Sequence, residues 1–186
     1  MIENFDRLSE DEKGMIHALP YRVGLWMSAL EPQGGDVADE AEVAAMIGMI
    51  EFIARANPQE FAGYICRQTI ARRDDWPAWS RDLDQVPSEC RRSVRLLTRL
   101  IPPEDVDQLR ASLLQIAVAV ARAFGEAHDG INLIRSNMGA VPAAVTEILS
   151  KSKPGPDLIE RVSGLEAGAL LELADHLGLA ADARID

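Results

Sequence analysis

PEDVDQLRASLLQIAVAVARAFGE, residues 103–126, decides the fold class. Pro103 sits in a first helical turn, where its missing N–H is no loss, and Glu104 and Asp105 put negative charge at the end that the helix dipole favours. From Leu113 to Ala121 the sequence is apolar nearly all round, with alanines between the larger side chains. Such a helix is packed by neighbours on several sides, so this stretch is expected to be the central helix of an all-α protein.

The chain on either side supports that reading. Ser9 and Glu12 form a Ser-x-x-Glu capping box, which opens a first short helix ending near Leu19. Pro20 then suits the first turn of a second helix, with Leu19, Val23, Trp26, Met27 and Leu30 on one face, stopping before Pro32 and Gly34-Gly35. A third helix is expected over residues 39–56. Asn57-Pro58-Gln59-Glu60 reads as the start of a fourth, running to about residue 73. The segment from Asp74 to Trp79 breaks the pattern. Residues 88–100 resume it, with Val94, Leu97 and Ile101 inward and Arg91, Arg92, Arg95 and Arg99 outward.

Beyond Gly125 the sequence loosens through His128-Asp129-Gly130, then gives a short helix near residues 141–152 and a Pro/Gly turn at 153–156. Ser163 and Glu166 cap a final helix to Gly178, with Leu165, Leu170, Leu173 and Leu177 placed to dock. No run alternates apolar with polar residues as a strand would. The expectation is a compact orthogonal bundle of about seven to nine helices. Residues 1–152 form the bundle, and 153–186 add a linker and docking helix to the same domain.

Composition narrows the function classes. The 186 residues are 47% hydrophobic and 26% charged, enough to bury a core without metal or disulfide staples. Net charge is −11, divided as −8 over residues 1–60, +1 over 61–110 and −4 over 111–186. Nucleic acid is excluded as the main partner, because phosphate neutralisation needs a surplus of Lys and Arg. Cys66 and Cys90 are too few for a disulfide framework or a Cys-based zinc site. MIENFDRLSEDEK is acidic and lacks the apolar region of a signal peptide, and no stretch approaches the ~20 apolar residues that span a bilayer. The expected location is cytoplasmic, with no transmembrane segment.

The acidic cluster Asp36-Val-Ala-Asp39-Glu40-Ala-Glu42 has two readings. Its carboxylates could offer hard oxygen ligands to calcium or a similar divalent cation, with Asp129 of the later Gly/Asp loop as a further ligand. Equally, Asp36-x-x-Asp39 and Asp39-x-x-Glu42 resemble capping boxes that only start a helix. An EF-hand is excluded, since the third and sixth residues from Asp36 are Ala38 and Ala41.

LPYRVGLWMSAL, the Gly/Asp loop after it, the acid-started helix and the later LLQIAVAVARAFGE together resemble the TerB-like family of tellurite-resistance proteins over roughly residues 15–130. The resemblance implies a compact helical cytoplasmic protein tied to stress resistance, with a divalent cation held by acidic loop residues. Those residues correspond here to Asp36, Asp39, Glu40 and Glu42. The second loop departs from the pattern, because Glu126-Ala-His128-Asp129-Gly130 is not followed by an acidic helix start.

A reading from another class treats the protein as a helical interaction or self-association module. Trp76 and Trp79 beside Arg72 and Arg73, and the basic stripe containing Arg91 and Arg95, are residue types enriched at interfaces. The alternatives are a helix corner whose indoles cover the core, and arginines that pair within the molecule. Catalytic motifs are absent: there is no Gly-x-Ser-x-Gly, P-loop, Rossmann glycine pattern or zinc-protease signature. Glu-x-x-His and His-x-x-x-His pairs are also missing, which excludes the ferritin-like di-iron pattern. His17, His128 and His176 read as lone histidines, and the chain is expected not to be an enzyme.

Overall fold

The computed structural model describes residues 2–30, 35–124 and 164–179, and all regular structure among them is helical. Eight α-helices occur in these segments: α1 (Ile2–Phe5), α2 (Glu10–Ser28), α3 (Gly35–Ala56), α4 (Phe61–Ala71), α5 (Trp76–Trp79), α6 (Val86–Leu97), α7 (Pro103–Phe124) and α8 (Gly164–His176). The stretch that opened the sequence argument is the core helix. α7 packs against α2, α3, α4, α6 and α8. It buries Leu109, Leu113, Ile116 and Val120 on one side and Leu114, Val118 and Ala121 on another, so its all-round apolarity is used.

α2 corrects the two-helix reading of residues 9–30. The Ser9–Glu12 capping box forms as expected, but the helix continues through Pro20 to Ser28. Ile16, Leu19, Val23, Trp26 and Met27 are buried together, and Pro20 is buried with them. Packing of one continuous apolar face outweighs the loss of one ladder hydrogen bond at the proline. The carbonyl of His17, in the turn before Pro20, accepts a hydrogen bond from the Thr69 hydroxyl of α4 at 2.7 Å. α1 was not legible in the sequence; its Phe5 is fully buried against Phe61, at 5.4 Å between ring centroids, and against His17 and Tyr64.

α4 starts later than its sequence suggests. Asn57 does not cap it: the Glu60 N–H closes a turn onto the Asn57 carbonyl, and the helix begins at Phe61 with Glu60 at the cap position. The turn is held from inside α4, where Arg67 donates to the carbonyls of Ala54 at 3.2 Å and Pro58 at 3.0 Å. It also presses on Gly63, where a Cβ would lie 1.9 Å from the Asn57 carbonyl oxygen. That obstacle is backbone, with no flexible end to move aside. Gly63→Ala is therefore expected to destabilise the protein by about 2 kcal/mol, as an overpacked site does, read as a lower urea midpoint at unchanged m-value.

The last described helix closes with a Schellman motif. Gly178 has φ of +74°, the Leu179 N–H reaches the Ala174 carbonyl, and the Gly178 N–H reaches that of Asp175. Leu170, Leu173 and Leu177 dock as expected, whereas Leu165 is 67% exposed. It falls on the outer face once the other three set the register of α8. Ser163, Asp129, His128 and the short helix expected at 141–152 lie outside the described residues. No helix among the described residues is long and apolar enough to cross a membrane.

Candidate functional site

The basic stripe becomes a surface groove. Val86, Cys90, Ser93 and Leu97 face the core from α6, which leaves Arg91, Arg92 and Arg95 on its exposed side. Arg99 extends the row two residues beyond the helix. With Leu96 and His176 of α8, these four arginines line a groove of about 480 Å³. Arg91 makes a single ion pair, Nη2 to Oδ2 of Asp175 on α8 at 3.2 Å, with both side chains largely exposed. Arg92, Arg95 and Arg99 form no ion pair or hydrogen bond among the described residues. Pairing within the molecule is thus partial: Arg91 meets Asp175, and the Arg92 charge adds to the Ser9 hydrogen bonds that lower the Glu12 pKa. One is held by the last described helix, and the guanidinium forks of Arg95 and Arg99 are unpaired among the described residues.

Two contacts fix the wall opposite. The His176 ring lies 2.7 Å from the Pro87 carbonyl through Nδ1. A carbonyl can only accept, so Nδ1 carries the proton and donates. Together with the apolar docking of α8 on α6 and α7, this sets the width of the groove.

The start of α6 is positioned by a residue that sequence reading overlooked. Arg22, buried on α2, binds Glu89 of α6 through Nε at 2.8 Å and Nη2 at 3.2 Å. The same guanidinium donates to the carbonyls of Trp79, Arg81 (2.7 Å) and Asp82 (3.0 Å). All five of its donor hydrogens can be used by these partners. The connector from α4 to α6 is therefore tied to α2 through its backbone, including Asp82, which adopts the left-handed region at φ 49°. A signal existed in the sequence: Arg22 lies three residues after Leu19 and four before Trp26, so it is a charge on the core-facing stripe of α2.

The tryptophans proposed for partner binding belong to that corner. Trp76 stacks on Tyr21 at 4.3 Å between centroids and donates its indole N–H to the Thr69 carbonyl at 3.1 Å, with Arg73 over its outer face. Trp79 is half-buried, 6.5 Å from the Tyr21 ring. Neither indole lines the arginine groove.

The acidic cluster sits differently from its sequence reading. α3 begins at Gly35, so Asp36, Asp39 and Glu40 lie within its first two turns and Asp36 is not on a loop. Glu42 is buried. Negative charge at these positions favours the helix N-terminus by itself. Among the described residues, no three His, Cys, Asp or Glu side chains gather as metal ligands would. Both cysteines are free and buried; burial pushes the Cys66 thiol up to about 12 and raises that of Cys90 as well, which keeps both as unreactive thiols.

Comparison with known proteins gives no match: no family model, no curated protein and no solved structure is similar to the chain. The TerB-like resemblance accordingly rests on the residues quoted for it above.

Proposed function

We propose that the chain is a non-catalytic helical interaction module that docks a short acidic segment of a partner protein in the α6 groove. The observation that supports this most directly is the row of Arg92, Arg95 and Arg99 along the groove, in which Arg95 and Arg99 have no ion pair among the described residues of a chain of net charge −11. Like charges three or four residues apart along a helix and the turn that ends it are mildly unfavourable, so the fold gains little from the spacing of Arg95 and Arg99. A ligand carboxylate gains from it, because a guanidinium fork binds carboxylate with two parallel hydrogen bonds. The surrounding acidity sets the size of the partner: within a screening length of about 8–10 Å a short acidic segment feels mainly the arginines, while an extended polyanion also meets the acidic flanks.

A fluorescent deca-glutamate peptide tests the reading. Anisotropy titration at 100 mM salt is expected to show saturable binding that weakens steeply as salt rises. Arg95→Glu combined with Arg99→Glu, both exposed positions, is expected to reduce affinity at least tenfold while leaving the melting temperature within a few degrees. Absence of binding by the unmodified protein, or equal binding by the charge-reversed one, overturns the proposal.

A further inference from the structure

The groove is not uniformly available, because the chain supplies a carboxylate of its own. Asp175 reaches Arg91 from the α8 side through one oxygen and one nitrogen, 3.2 Å apart. That single-point contact leaves the other Arg91 donors unused among the described residues. An Arg–carboxylate pair that were structural in purpose would be expected in the bidentate form that Arg22 and Glu89 adopt in the same molecule. Nor does α8 depend on the pair for its place. Leu170, Leu173 and Leu177 are buried, the His176 ring is fixed on Pro87, and the Gly178 turn closes the helix end. Asp175 can therefore change rotamer without movement of the helix that carries it.

We infer that Asp175 is an intramolecular competitor for the docking groove, holding Arg91 in the chain alone and yielding that guanidinium to a carboxylate of the acidic partner. This rests on the groove being a docking site. The exchange is one carboxylate for another at the same guanidinium, with no change in the number of charges paired. Its consequence is a raised threshold: a ligand with a single carboxylate gains little over Asp175, whereas one that also engages Arg95 and Arg99 displaces it. The groove thereby selects clustered acidic residues over isolated ones.

The same deca-glutamate titration carries the test, with four further proteins. Asp175→Asn is expected to tighten binding by up to about fivefold, the equilibrium equivalent of one exposed ion pair. Glu172→Gln removes an equal charge one turn earlier on the exposed side of α8 and is expected to change affinity much less. Arg91→Ala is expected to weaken binding, and in that background Asp175→Asn should have no more effect than Glu172→Gln. If Asp175→Asn matches Glu172→Gln, or tightens binding equally without Arg91, the competitor role is wrong and the docking site still stands. If the Arg95 and Arg99 reversal leaves binding intact, both readings fail together.

Discussion

Arg22→Met is expected to lower stability by about 3 kcal/mol, the low end of what removal of one partner from a buried ion pair produces. The low end applies because Glu89 keeps a quarter of its side chain exposed, while Arg22 keeps 9%. Methionine fills much of the same volume, so the loss isolates the polar contacts. It strands the Glu89 carboxylate and removes the shared donor of three backbone carbonyls at 79, 81 and 82. For a chain of this size about 3 kcal/mol corresponds to a melting temperature lower by about 6–12 °C. The decisive comparison is the double variant Arg22→Met with Glu89→Leu. It should recover part of the loss, since no charge is left unpaired, and a double variant at least as unstable as the sum of the two single ones would contradict the ion-pair account.

That same residue shows where sequence reading stops. Periodicity located the helices because burial of an apolar face leaves a pattern in neighbouring residues, and α7 is the clearest case. Arg22 is visible only as a charge on the wrong face of α2. Its partners lie about sixty residues away, and three of them are carbonyls, which every residue has. Boundaries failed for related reasons. Pro20 is a sound local signal for a helix start, but the stripe from Ile16 to Met27 made one continuous helix more favourable. Asn57-Pro58 is a sound cap signal, but Arg67 binds the Pro58 carbonyl, the Asn57 carbonyl lies against Gly63, and the helix begins at Phe61.

The candidate site was half legible. Four outward arginines follow directly from helical spacing on α6, so their exposure was expected. That they line a groove depends on α8, whose Asp175 and His176 join the site across more than eighty residues of sequence. Two neighbouring residues on α8 do opposite things there: one ring fixes the wall, and one carboxylate competes for the groove. No local pattern distinguishes them. Trp76 fits the corner alternative given for its Arg/Trp-rich segment, since its indole stacks on Tyr21 and donates to the Thr69 carbonyl.

Between pH 6.5 and about 4 the protein is expected to lose about 3 kcal/mol of stability through His17 alone. The ring is 3% exposed, lies between Phe5 and Tyr64, and has no hydrogen-bond partner at either nitrogen among the described residues. Burial is the main cause that pushes its pKa down from 6.5 to about 4; the Arg72 and Lys13 cations add to it, and Glu10 opposes them weakly. The native state therefore binds fewer protons than the unfolded chain throughout that window. His17 contributes its full stability above pH 6.5, loses it as pH falls toward 4, and adds no further slope below that. Carboxylates also titrate in acid, and Glu10 and Glu12 have lowered pKa values through Lys13 and Ser9 respectively, so the histidine must be read as a difference. His17→Leu, of similar volume and without ring nitrogens, keeps those carboxylates. Urea unfolding of both proteins from pH 7 to pH 4 should show the variant gaining on the natural sequence as pH falls, by about 3 kcal/mol at the acid end. A difference that stays constant with pH would mean that the ring titrates alike in the folded and unfolded states, and that its burial beneath Phe5 is not what the structure shows.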